Sequence, residues 1–204
     1  MTYFDLGPYS RQVTTSSDDA QLWFDRGLNW LFGFNHGEAV KCFKKALEHD
    51  PECAMAHWGV SYASGPNYNL PWHRYDPKGL QMALSASYDA MQGALAHAGN
   101  VSPVEQAMIQ ALPARYPQSE AIEDMSPWDK AYTNEMRKVF EAYPDDLEVR
   151  AVFVESIMNE TPWKMWDLPT GQPAEDAGGQ DPQERIESAL LGRARKENLR
   201  ARAC

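Results

Sequence analysis

The sequence predicts an all-α protein built from antiparallel helix pairs. Three observations carry this. Helix-start signals recur through residues 18–170: Ser102-Pro103-Val104-Glu105 is a capping box with Pro at the first helical position, Ser126-Pro127-Trp128-Asp129 has a similar layout, and Asp76-Pro77 is a third start. Pro51 and Pro144 each follow an amphipathic run and stop it. Nowhere do four or more residues alternate cleanly between apolar and polar with β-branched enrichment, which is what a strand requires.

The elements follow in order. Residues 1–17 read as an N-terminal extension, and helices are expected at 18–33, 37–49, 53–64, 77–98, 103–112, 127–143 and 145–159. The first two are joined by Phe34-Asn35-His36, a turn so short that it forces neighbouring antiparallel helices. On the second, Ala39, Phe43, Ala46 and Leu47 share one face. Small Ala39 and Ala46 let a helix approach, and Phe43 fills the gap. Gly27, inside the first helix, costs roughly 1 kcal/mol against Ala, a cost that makes sense where another helix packs tightly on it.

The chain has two unequal parts. Of its 204 residues, 19 are Lys or Arg and 29 Asp or Glu, a net charge of −10. All Trp, Phe and Tyr lie at or before Trp166. The helical domain therefore ends near residue 170. Residues 171–182 form a Gly/Pro/acid linker and 183–204 a mobile tail, with a helix near 183–200 where Ile186 and Leu190 recur at helical period. Acidity argues against binding a nucleic-acid backbone. No run of about 18 apolar residues exists, so no membrane span is expected, and no signal peptide is visible at the N-terminus. Three cysteines, at 42, 53 and 204, point to a reducing, cytoplasmic setting rather than a disulfide-stapled fold.

Counting 34 positions from Ala20, Trp23, Gly27 and Trp30 take the aromatic, glycine and aromatic places of a first helix, and Ala39, Phe43, Ala46 and Pro51 the small, aromatic, small and proline places of a second. This spacing resembles a tetratricopeptide repeat. A second unit opens at Ala54, a third is degenerate, and the helix after Pro144 resembles the start of a fourth. Phe34-Asn35-His36, Cys53 to Gly59, Gly65-Pro66-Asn67-Tyr68-Asn69 and Glu160-Thr161-Pro162-Trp163 resemble the N-terminal part of a bacterial and fungal family of longer TPR-domain proteins. The resemblance covers roughly 18–175. A short protein, a splice product and a shifted gene boundary each account for the departure after it. A last helix without a successor is expected to leave Val152, Phe153, Ile157 and Trp163 partly bare, so self-association through that open end is expected.

The resemblance implies that the first helix of each unit lines a concave groove. That places Phe24, Leu28, Leu31 and Phe32 there from unit one, and Met55, Trp58 and Tyr62 from unit two. Such a groove is apolar and aromatic with few cations. It suits an apolar peptide, a helix or a hydrophobic ligand rather than a terminal carboxylate; packing within the chain is the competing expectation. The loop 65–76 brings Asn67, Tyr68, Asn69 and His73 close to one another, and with His57 they form a candidate polar pocket; a well-packed turn is the alternative. Cys53 and His57 are spaced as two metal ligands could be, with His49 and His73 nearby, but no Cys-x-x-Cys or His-Glu-x-x-His motif accompanies them. No metal, cofactor or catalytic residue is assigned. The expected function is a protein-interaction scaffold or adaptor with a protein or peptide partner. The alternative is a small-molecule- or metal-binding protein, or an accessory enzyme, using the 65–76 loop with His57 and His73.

Overall fold

The structure is a computed structural model, which describes residues 3–173. The expected linker beyond residue 173 and the tail helix near 183–200 lie outside the described residues, as does Cys204. The described chain is all-α. It contains α1 (Asp18–Phe32), α2 (His36–His49), α3 (Ala54–Ser64), α4 (Pro77–His97), α5 (Pro103–Arg115), α6 (Ser126–Ala142) and α7 (Leu147–Asn159), with single 3-10 turns at Trp72–Arg74 and Ala98–Asn100. No helix among the described residues is long and apolar enough to cross a membrane.

Local chemistry sets the helix starts. Ser17 accepts a hydrogen bond from the Ala20 N–H, and Asp18 and Asp19 place negative charge at the positive end of α1. Asn35 caps α2 through the Glu38 N–H, Asp76 caps α4 ahead of Pro77, and Asp146 caps α7. The capping box at Ser102 and Glu105 forms as its spacing requires. The second such layout does not: Met125 precedes α6 without a side-chain cap, and Asp129 instead accepts the Trp72 indole N–H at 3.2 Å. Between α1 and α2 the chain reverses through Phe34 at φ 59°, a left-handed conformation.

Each helix packs on the next, α1 on α2, α2 on α3 and α3 on α4, more lightly α4 on α5, then α5 on α6 and α6 on α7; α3 also touches both α1 and α5. The first three helices meet on Phe43, which is wholly buried. A Cβ added at Gly27 or at Gly59 would stand 2.6 Å from the Phe43 ring, so both helices approach that ring as only glycine allows. Phe24 closes the same spot at 5.5 Å between ring centroids.

Three expectations need correction. Helix α5 runs on to Arg115, past Pro113, because Tyr116 N–H still closes the last turn on the Leu112 carbonyl. A two-stranded antiparallel hairpin, β1 (Trp166–Asp167) and β2 (Gln172–Pro173), follows α7 and is too short for a pattern to reveal. Val152, Phe153 and Ile157 are buried rather than bare, since Phe153 stacks on Phe140 of α6 at 5.2 Å; Trp163 is 56 % exposed.

The N-terminal extension is structured. Tyr9 and Arg11 both bond Glu148 of α7, and Arg11 also bonds Asp146 at 2.7 Å. The Arg11 N–H and the Ser10 hydroxyl donate to Asp25 of α1, and Asn29 of α1 donates to the Tyr9 carbonyl. Thr14 donates twice to Glu105 of α5. Tyr3 meets the Cys42 thiol of α2 at 3.1 Å and Thr15 donates to Asp50, which ends α2, so residues 3–16 form an arm tied to α1, α2, α5 and α7.

Candidate functional site

Six of the seven residues carried over as groove-lining are interior. Phe24, Leu28, Leu31, Met55, Trp58 and Tyr62 are all buried, and Phe32 is half-buried with Tyr9 of the arm against it at 6.4 Å. The face that the resemblance implies is thus filled by the chain itself: Trp58 stacks on Tyr62 at 5.0 Å, and Tyr62 donates to Glu155 of α7 at 2.6 Å.

This interior carries a cation that the sequence reading left out. Arg115, 1 % exposed, sets its guanidinium 4.4 Å from the centre of the Tyr62 ring, 5.0 Å from that of Tyr132 and 5.6 Å from that of Tyr116. It donates to the Pro66 carbonyl at 2.6 Å. Burial works against the Arg115 cation, but the phenols of Tyr116, Tyr62 and Tyr132 and the Glu155 carboxylate outweigh it, so it stays charged. Burial pushes the Tyr62 and Tyr132 phenols up, which keeps them protonated. Nε and one terminal nitrogen of Arg115, the Trp58 indole N–H, the Tyr132 hydroxyl and one Glu155 oxygen have no hydrogen-bond partner among the described residues. Arg115 ends α5 just before a turn, and nothing local in the sequence marks it as buried.

The proposed polar pocket separates into different roles. His57 lies at the far end of α3 from the 65–76 loop, stacked on His97 at 5.7 Å and bonded to the Pro51 carbonyl, where burial lowers its pKa. Asn67 holds the turn by accepting from the N–H groups of Asn69 and Leu70. Tyr68 stacks on Trp163 at 5.4 Å, and Asn69 is exposed. His73 of this set lines a cleft.

That cleft, of about 570 Å³, opens between the 71–75 segment, the 122–129 stretch that leads into α6, and the residues after α7. Its volume is in the range that holds a small ligand. Trp72 and the half-buried Asp129 form part of its lining, and Asn159 and Thr161, each 8 % exposed, form another part. Burial pushes the Asp129 carboxyl up to about 7, although Arg115 and the Trp72 hydrogen bond pull the other way. The Asn159 side-chain oxygen has no hydrogen-bond partner among the described residues. The 65–76 aromatics signalled one wall of this cleft in the sequence; Asp129 and Asn159 come from distant helices and gave no shared signal.

Cys42 and Cys53 are free thiols and both are buried. Burial raises Cys53 to about 11, which leaves it a poor nucleophile. Among the described residues no group of three or more His, Cys, Asp or Glu is arranged to hold a metal ion. No protein-family model, no curated protein and no solved structure matches the chain.

Proposed function

We propose that this chain is a helical-repeat interaction protein, a scaffold or adaptor that holds an extended peptide segment against its helices and performs no bond-making of its own. One observation carries the reading: residues 3–16 already run along α1, α2, α5 and α7 as a bound peptide would. Backbone groups of the arm pair with Asp25, Asn29 and Glu105, and its Arg11 is set between Asp146 and Glu148. The acid-rich receiving surface suits a segment with an aromatic residue followed closely by Arg, the pattern Tyr9-Ser10-Arg11. The resemblance to tetratricopeptide repeats supports the same reading. The test uses the full chain with Arg11→Ala and Tyr9→Phe, which loosens its own arm, and a labelled synthetic peptide of residues 3–16. The peptide should bind this variant in fluorescence polarisation, and its Arg11→Ala form should not. Equal binding of both peptides, or none of either, would count against the proposal.

A second reading, small-molecule binding, is favoured by the cleft beside Trp72 and Asp129, which stands apart from the arm.

A further inference from the structure

The cleft has a chemistry of its own, independent of the peptide reading. Two of its inner polar atoms, on Asp129 and Asn159, are acceptors. Asp129 has one oxygen on the Trp72 N–H at 3.2 Å. Asn159, 92 % out of solvent by its 8 % exposure, lines the same cleft with an oxygen that no donor meets among the described residues. A ligand that completes these groups must bring donors.

Charge adds to this. The cleft's charged lining comprises the carboxyl groups of Glu123, Asp124, Asp129 and Glu160 against the basic side chains of Lys164 and His73. A buried cation, Arg115, stands behind Asp129 in the interior. Apolar surface is present too: Leu80 is half-buried on one wall, and Ile122, 42 % exposed, stands on another. The lining area is therefore acceptor-rich, net acidic and partly apolar.

We infer that this cleft binds a small organic amine, its ammonium set against Asp129 and Asn159 and its apolar body lying on Trp72, Leu80 and Ile122. An ammonium supplies three donors and a full positive charge, which matches two acceptors and an acidic rim. An anion would meet the carboxylates of Asp124 and Glu123. A neutral ligand would bring no counter-charge to the carboxylates on the cleft's own side.

The inference makes a pH signature. The groups that face Asp129 are Arg115 from α5, Trp72 from the 72–74 turn, Asp124 before α6 and Glu160 after α7. With its carboxyl near 7, Asp129 is largely protonated in mildly acidic solution and cannot then offer the ammonium a full charge. An alkylamine stays charged throughout that range.

The experiment is calorimetric titration of the full chain with 2-phenylethylamine, and with 2-phenylethanol as the neutral probe of the same shape. The amine should bind at one site at about pH 8, at least about tenfold more tightly than the alcohol. Its affinity should fall about tenfold towards pH 6 as Asp129 takes up its proton. Asp129→Asn, checked for folding by thermal denaturation, should erase both the preference and the pH dependence. Alcohol binding as tight as amine binding, an affinity independent of pH in the unsubstituted chain, or no saturable binding of the amine would each overturn the inference. Because the arm takes no part, this result is separable from the peptide test.

Discussion

Helices α1 to α3 and the interior around Arg115 solve the same problem, joining antiparallel helices, by opposite means. The first region is dry. Phe43 sits against Gly27 and Gly59, with Ala39 and Ala46 wholly buried beside it, and every group at that contact is apolar or backbone. The second is polar. A buried guanidinium, three tyrosines and a carboxylate meet there, and several of their polar atoms have no hydrogen-bond partner among the described residues. Dispersion and area burial fix the first geometry tightly. A buried charge with incomplete partners contributes little to stability and is retained more readily for what it can bind or orient.

The sharpest way to break the comparison is at Phe43. Phe43→Ala leaves a hole between two glycines that cannot fill it, and should cost about 3–5 kcal/mol in chemical denaturation. A loss below about 1 kcal/mol would mean that α1, α2 and α3 do not depend on this ring. Asp129→Asn is the next in size and has the opposite sign. The folded Asp129 carboxyl, pushed up to about 7, lies above its ordinary value of 3.8, so the folded chain holds a proton that the unfolded chain releases. Stability therefore falls as pH rises from about 4 to about 7, and the loss persists above that range. The asparagine escapes this and should be more stable by roughly 1–2 kcal/mol at about pH 8, with little gain at about pH 4. Thermal melts at the two pH values check it. The smallest effect is expected when Arg115→Met is combined with Glu155→Met, which replaces the buried charges together by apolar chains of similar length. The stability should change by no more than about 1 kcal/mol. A loss above about 3 kcal/mol in denaturant titration would make the Arg115 cluster a structural network like any other.

The same contrast explains what could be read from the sequence. Ala39, Phe43 and Ala46 recur at helical spacing, and Gly27 faces them across one short hairpin, so their contact was legible in the sequence. The helix starts at Asp76 and Ser102 are equally local. Arg115, Glu155 and Tyr132 meet only through the packing of α3, α5, α6 and α7, and no short-range pattern links them. The carried-over groove residues kept their helical places, but their open face was an inference about neighbours. Those neighbours proved to be α7 and the chain's own arm. The arm itself was legible only as an extension, because its partners Asp25, Glu105 and Glu148 lie far along the chain.

The docked arm is the central claim, and a double-mutant cycle between Arg11 and Glu148 tests it most directly. Both side chains are 9 % exposed and bonded to each other. Denaturation of the parent, Arg11→Ala, Glu148→Ala and the double variant should give a coupling energy of about 1.5–3 kcal/mol, as expected for charged groups that share a buried contact. Additive effects, with coupling below about 0.5 kcal/mol, would mean that the arm is not held against α7 and would remove the observation on which the peptide-binding proposal stands.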